Sequence, residues 1–112
     1  MDSILTSIKK LLGITEEYAH FDADLIIHIN SAFMVLNQIG IGPFECFSIS
    51  SDEESWTDFL DESKALEAVK TYVYLKVKIL FDPPANSSAL ESLNRLIQEY
   101  EWRLYTQAET EV

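Results

Sequence analysis

The amino-acid sequence predicts an all-α protein, a small bundle of about four main helices with a short extra helix in the 51–60 region. Apolar residues recur at helical spacing through four separate stretches. Only three glycines and three prolines occur in 112 residues. Those breakers fall at the ends of the stretches rather than inside them. A chain of this length supports one modest core, so residues 1–112 are read as a single helical domain.

The first helix is predicted from about Ser3 to Leu12. Ile4, Leu5, Ile8, Leu11 and Leu12 share a face there, and Gly13 is a natural stop. The second runs from Asp22, read as its N-cap, to Ile39, with Gly40 as the breaker. Leu25, Ile29, Ala32, Leu36 and Ile39 mark one side, and Ile26, Ile27, Phe33 and Met34 widen it until the helix is apolar nearly all round. Such a helix lies either at the centre of its bundle or under a neighbouring subunit. Leu25 to Phe44 carries no charged side chain, yet His28, Asn30, Ser31, Asn37, Gln38, two glycines and Pro43 interrupt it. A membrane span is therefore not expected.

Gly40-Ile41-Gly42-Pro43 reads as a turn, and Phe44 to Ser50 as a short extended segment. Ser51-Asp52-Glu53-Glu54 has the form of a capping box opening a short helix through Leu60, with Trp56, Phe59 and Leu60 on one side. From about Ser63 to Phe81, Leu66, Val69, Val73, Val77 and Leu80 keep one row, flanked by Tyr72, Lys76 and Ile79. Their period is near the helical value despite the β-branched residues. Asp82-Pro83-Pro84 ends that helix. A second capping box, Ser88 to Glu91, opens the last helix, which is predicted to reach about Gln107. Leu93, Ile97, Tyr100 and Leu104 form its apolar row, Trp102 and Tyr105 lie off that row, and a frayed tail is expected over 107–112.

Charge excludes several functions. With 19 acidic against 8 basic residues and a formal net charge of -11, the surface repels phosphate, so neither a nucleic-acid grip nor an anionic membrane is a natural partner. The distribution is uneven. Glu45, Asp52, Glu53, Glu54, Asp58, Asp61 and Glu62 lie in one stretch without a basic residue, whereas Lys64, Lys70, Lys76 and Lys78 follow with only Glu67 among them. Opposite patches suit head-to-side contact between copies. The plainer reading is a solvated acidic loop beside an ordinary charged helix face.

Residues with chemical potential do not converge. Cys46 is the only cysteine, which rules out an intrachain disulfide and fits a reducing compartment. Flanked by phenylalanines and preceded by Glu45, it lacks the positive surroundings that activate a thiol. His20, Asp22, Asp24 and His28 match no metal-ligand spacing; Asp22 is assigned to capping and Asp24 with His28 to an i,i+4 pair. Gly40-x-Gly42-Pro43 is too short and lacks the lysine of a phosphate loop. Asn86-Ser87-Ser88 has the glycosylation form, which matters only in a secreted chain, and the N-terminus lacks the basic-then-apolar order of a signal peptide. Aromatic residues such as Tyr72, Tyr74, Trp102 and Tyr105 are read as core or interface rather than base-stacking platforms. No catalytic residue, metal or cofactor is expected.

Five features in this order resemble the head–tail connector (neck adaptor) proteins of long-tailed bacteriophages and prophages. They are the opening SIKKLLGI; the DADLIIHINSAFMVLNQIGIGP helix and turn; the Trp56-to-Leu60 segment; the helix KALEAVKTYVYLKVKILFDPP; and the closing SALESLNRLIQEYEWRLY. The resemblance spans roughly residues 3 to 105, and its most telling parts are the Asn37–Gly42 turn and the Val77–Pro84 run. It implies a structural protein of the virion neck, made and assembled in the bacterial host cytoplasm. Such a protein forms a homo-oligomeric ring beneath the portal, extends the DNA channel without binding DNA specifically, and docks a stopper or tail-completion protein. Candidate interface or channel residues are Glu45, Asp52, Glu53, Glu54, Asp58, Lys70, Lys76, Lys78, Trp102 and Tyr105. The last helix and tail are candidate portal-docking elements by resemblance. The competing expectation is a monomeric acidic module that mimics nucleic acid and occupies a partner's basic cleft.

Overall fold

The computed structural model describes residues 3–42, 47–60 and 64–110. Five helices follow one another along it: α1 (Ile4–Leu12), α2 (Asp22–Ile39), α3 (Trp56–Phe59), α4 (Lys64–Phe81) and α5 (Ser87–Thr110). Among the described residues there is no strand, only an isolated antiparallel bridge between Ser3 and Ser55. Residues 47–50 of the expected extended segment form no strand, and its first half, Phe44 to Cys46, lies outside the described residues, as does Ser63.

Helix α1 is capped by Ser3, whose hydroxyl accepts from the Thr6 N–H at 3.2 Å. It closes at Gly13 (φ 81°), where Ile14 N–H reaches Lys9 O at 2.9 Å and Gly13 N–H reaches Lys10 O at 3.2 Å. That double bond pattern needs a left-handed residue, and only glycine adopts it without cost. The same closure ends α2: Gly40 has φ 103°, with Ile41 N–H on Leu36 O at 2.9 Å and Gly40 N–H on Asn37 O at 3.1 Å. Ile41 is thereby turned back into the core.

Three expected starts shift. Asp22 is the first residue of α2 rather than its cap, and its carboxylate pairs with Lys9 Nζ at 2.9 Å. The short helix opens at Trp56, not after Ser51, with Asp58 Oδ2 accepting from Ser55 N–H at 2.9 Å. Helix α5 opens at Ser87, because Asn86 Oδ1 accepts from the N–H groups of Ser88 and Ala89 at 2.8 and 3.1 Å. For α3 and α5 a nearby side chain makes the capping bond, whereas α2 has no side-chain cap and Asp22 turns to Lys9 of α1. Helix α5 also continues through Ala108 to Thr110, beyond the point where fraying was expected.

Helix α4 packs along both α2 and α5, which also touch each other, while α1 packs against α2 and α4. The molecule is a plate, 40 × 36 × 20 Å. Its core joins Ile4 and Ile8 of α1, Leu25, Ile29, Phe33 and Leu36 of α2, Trp56 and Phe59 of α3, Val69, Tyr72, Val73 and Val77 of α4, and Ile97 and Leu104 of α5. The central position thus belongs to α4. Tyr72, expected at the flank of its row, is fully buried, whereas Leu80, expected within the row, is exposed at the end of the helix.

Candidate functional site

The polar side chains singled out by sequence fall into two groups, those consumed by the fold and those displayed on it. Residues 47–60 form an irregular segment held by directional bonds. Asn30 of α2 presents its amide to the backbone of Ile49, accepting from its N–H at 2.7 Å and donating to its carbonyl at 3.0 Å. Ile4 N–H donates to Glu54 O at 3.0 Å, and Trp56 Nε1–H donates to Ser7 Oγ at 3.0 Å. Behind these bonds Phe33, Phe47 and Phe59 meet as an aromatic triad, with ring centroids 4.6 to 5.3 Å apart.

Two of the acidic candidates belong to this clasp. Glu54 accepts from the N–H groups of Ser50 and Ser51 at 2.9 and 3.2 Å, and from their hydroxyls. Burial would raise its pKa, but the N–H groups of Ser50, Glu54 itself and Ser51, with the Ser50 hydroxyl, outweigh burial and hold it below the ordinary carboxylate value. Asp58 caps α3. Asp52 and Glu53 are exposed, and with Glu16 they face a shallow groove of about 320 Å³ beside Ser3 and Thr6. Glu45 lies outside the described residues, as do Cys46, Asp61 and Glu62.

Three lysines of α4 meet carboxylates of their own chain. Lys70 lies 3.4 Å from Glu67, Lys76 3.6 Å from Glu101 and Lys78 3.1 Å from Asp82. Such half-exposed pairs contribute little stability, but they soften the basic patch read from sequence. Glu101 also accepts from the Tyr72 hydroxyl at 2.7 Å, tying α5 to α4. Burial first, then the bond to and charge of Glu101, push the Tyr72 phenol far above its ordinary value.

Sequence reasoning missed one buried charge. Lys9 is 2% exposed and spans from α1 to Glu16 O at 2.8 Å and Asp22 at 2.9 Å. A lysine next to another lysine on a short amphipathic helix gives no sequence signal of burial. His20 and His28 likewise serve packing: with Tyr18, Phe21 and Phe81 they form a run of edge-on and tilted rings. His28 turns to Phe81 rather than to Asp24, and among the described residues no group of acids, histidines and cysteines is placed to hold a metal.

The plate also displays large apolar side chains. Ile27 and Met34 are 62% and 56% exposed on the outer side of α2, opposite Leu25, Ile29 and Leu36. Trp102 and Tyr105 are 67% and 48% exposed on the outer side of α5. Among the described residues no helix is long and apolar enough to cross a membrane.

An all-helical plate with exposed apolar side chains and, among the described residues, no metal-holding group has the build of an assembly subunit. The chain belongs to the phage connector protein family, whose model matches residues 4–111. Membership makes it a structural protein of the phage neck, associated with other neck proteins. No curated protein and no solved structure matches the chain.

Proposed function

We propose that the chain acts as one domain and as a ring subunit beneath the portal, extending the DNA channel and offering a docking surface to a stopper or tail-completion protein. Family membership supports the location. The observation that carries the ring is the outer face of α2, where Ile27 and Met34 stand in solvent on a chain of net charge -11. Large exposed apolar side chains on a single helix face call for a cover. Asp52 and Glu53 supply exposed negative charge that keeps passing DNA from adhering wherever they line the channel. The role is structural, without catalysis.

Light scattering during size-exclusion chromatography tests this, over a range of concentrations and with purified portal added. Ring-sized or portal-bound species are expected. A strict monomer that ignores portal but binds a basic DNA-binding protein would establish the nucleic-acid-mimic reading in its place.

A further inference from the structure

We infer that neighbouring copies join edge to edge, with the outer stripe of α2 on one copy seated against the outer stripe of α5 on the next. This rests on the ring reading above and specifies its contact.

Two uncharged stripes lie on the two helices that pack along α4, and each is on the solvent side of its helix. On α2 the stripe is Ile27, Ser31, Met34 and Gln38; on α5 it is Asn94, Gln98, Trp102 and Tyr105, and all eight residues are exposed. Each follows i+3/i+4 steps and covers about three helical turns, so the two ridges match in length. Each is also freed of a flanking polar demand. Ser31 Oγ donates to Ile27 O at 3.1 Å, and Thr106 Oγ1 donates to Trp102 O at 2.9 Å, so neither hydroxyl needs a partner across a contact.

Charge selects the occupant. Two copies at -11 each repel over most of their surface. The α2 stripe has no charged residue between Ile27 and Gln38. Beside the α5 stripe, Arg95 pairs with Glu91 at 3.1 Å and Arg103 with Glu99, so the acids there are neutralised within the helix. Apart from exposed Asp24, one turn before Ile27, these are surfaces on which a second acidic copy approaches without meeting unbalanced charge of its own sign. Because the two stripes differ, the contact is head-to-tail and repeats from copy to copy until the rotation closes it. One helix pair is a small interface, so dilute copies are expected to separate and to gather where a platform concentrates them.

Cysteine pairing tests the register. In a Cys46→Ser background, Met34→Cys and Tyr105→Cys are made singly, mixed at high concentration or assembled on portal, and oxidised. The mixed disulfide is expected to exceed either same-residue dimer at least fivefold, and the double variant to give a ladder. Same-residue dimers in excess, or no mixed product above an Asp52→Cys control while the parent assembles, overturn the edge-to-edge contact and leave the ring standing. Absence of parental assembly overturns both. Charge swapping gives a check that needs no cysteine: Met34→Glu should abolish assembly at least tenfold in concentration, and Tyr105→Lys in the same chain should restore it. A Met34→Glu chain that assembles like the parent would sink the proposal.

Discussion

The clasp over residues 47–60 and the outer edges of α2 and α5 are built by opposite means. The clasp has almost no regular structure, yet its backbone is fixed by Asn30, Glu54, Asp58 and Trp56 through bonds of defined direction. The edges are regular helix, their backbone satisfied internally, and what they offer is uncharged surface led by large apolar side chains. An irregular segment packed against the core must find partners for the N–H and C=O groups it buries, so it draws in polar side chains from elsewhere. A helix needs none, and its outer face remains available for other molecules. Carboxylates that look like a functional patch in sequence are thus partly structural, while residues that look like surplus core carry the surface.

Breaking the clasp at its aromatic centre should cost most. Phe33→Ala removes a ring that touches Phe47, Trp56 and Phe59. A loss of about 3–5 kcal/mol is expected in denaturant unfolding. Gly42→Ala follows. Gly42 has φ 93°, and an added Cβ would fall 2.4 Å from the Phe59 ring. Strain and ring displacement together should cost about 2–4 kcal/mol, measured as a lowered unfolding midpoint. Asn30→Ala strips both partners from Ile49 and should cost about 1–3 kcal/mol, with faster amide exchange at Ile49 as the specific readout.

The acid limb sharpens the comparison. The Glu54 carboxyl lies below its ordinary value of 4.5, so its stabilisation is present above that pH and is lost as pH falls through the lower folded value. Glu54→Gln should weaken the protein near neutrality, and the gap from the parent should close in acid melting curves. Tyr72 runs the other way: its raised phenol favours the neutral form, so stability is present below its ordinary value of 10.0 and declines above it. The smallest effect belongs to the edges. Met34→Ser and Trp102→Ala should change monomer stability by less than about 0.5 kcal/mol. A larger loss in either would mean that the edge is part of the core.

The helices were legible because apolar spacing is a local property, and both helix-closing glycines were read correctly for the same reason. The starts of α3 and α5 were not, since Ser-x-x-Glu patterns occur wherever acids and serines are dense and only geometry decides which one bonds; Asp22 was not a cap because Lys9, distant in sequence, engages its carboxylate. Tyr72 and Leu80 exchanged roles because burial on a broadly apolar helix depends on which neighbours lie beside it. Of the named candidates, Trp102 and Tyr105 are displayed as their position off the apolar row implied. The pairing of Lys70, Lys76 and Lys78 with nearby acids needed the helix packing and side-chain rotamers to be seen.

The amide of Asn30 recognises only main-chain atoms of Ile49, and the main chain is the same whatever residues follow. The path of the chain there is written in a helix, away from the segment that obeys it. Asp52 and Glu53 are exposed on that path, so exchanging either side chain is expected to leave the Asn30–Ile49 bonds in place. Related viruses would be able to retune this surface by point mutation without redesigning the subunit beneath it.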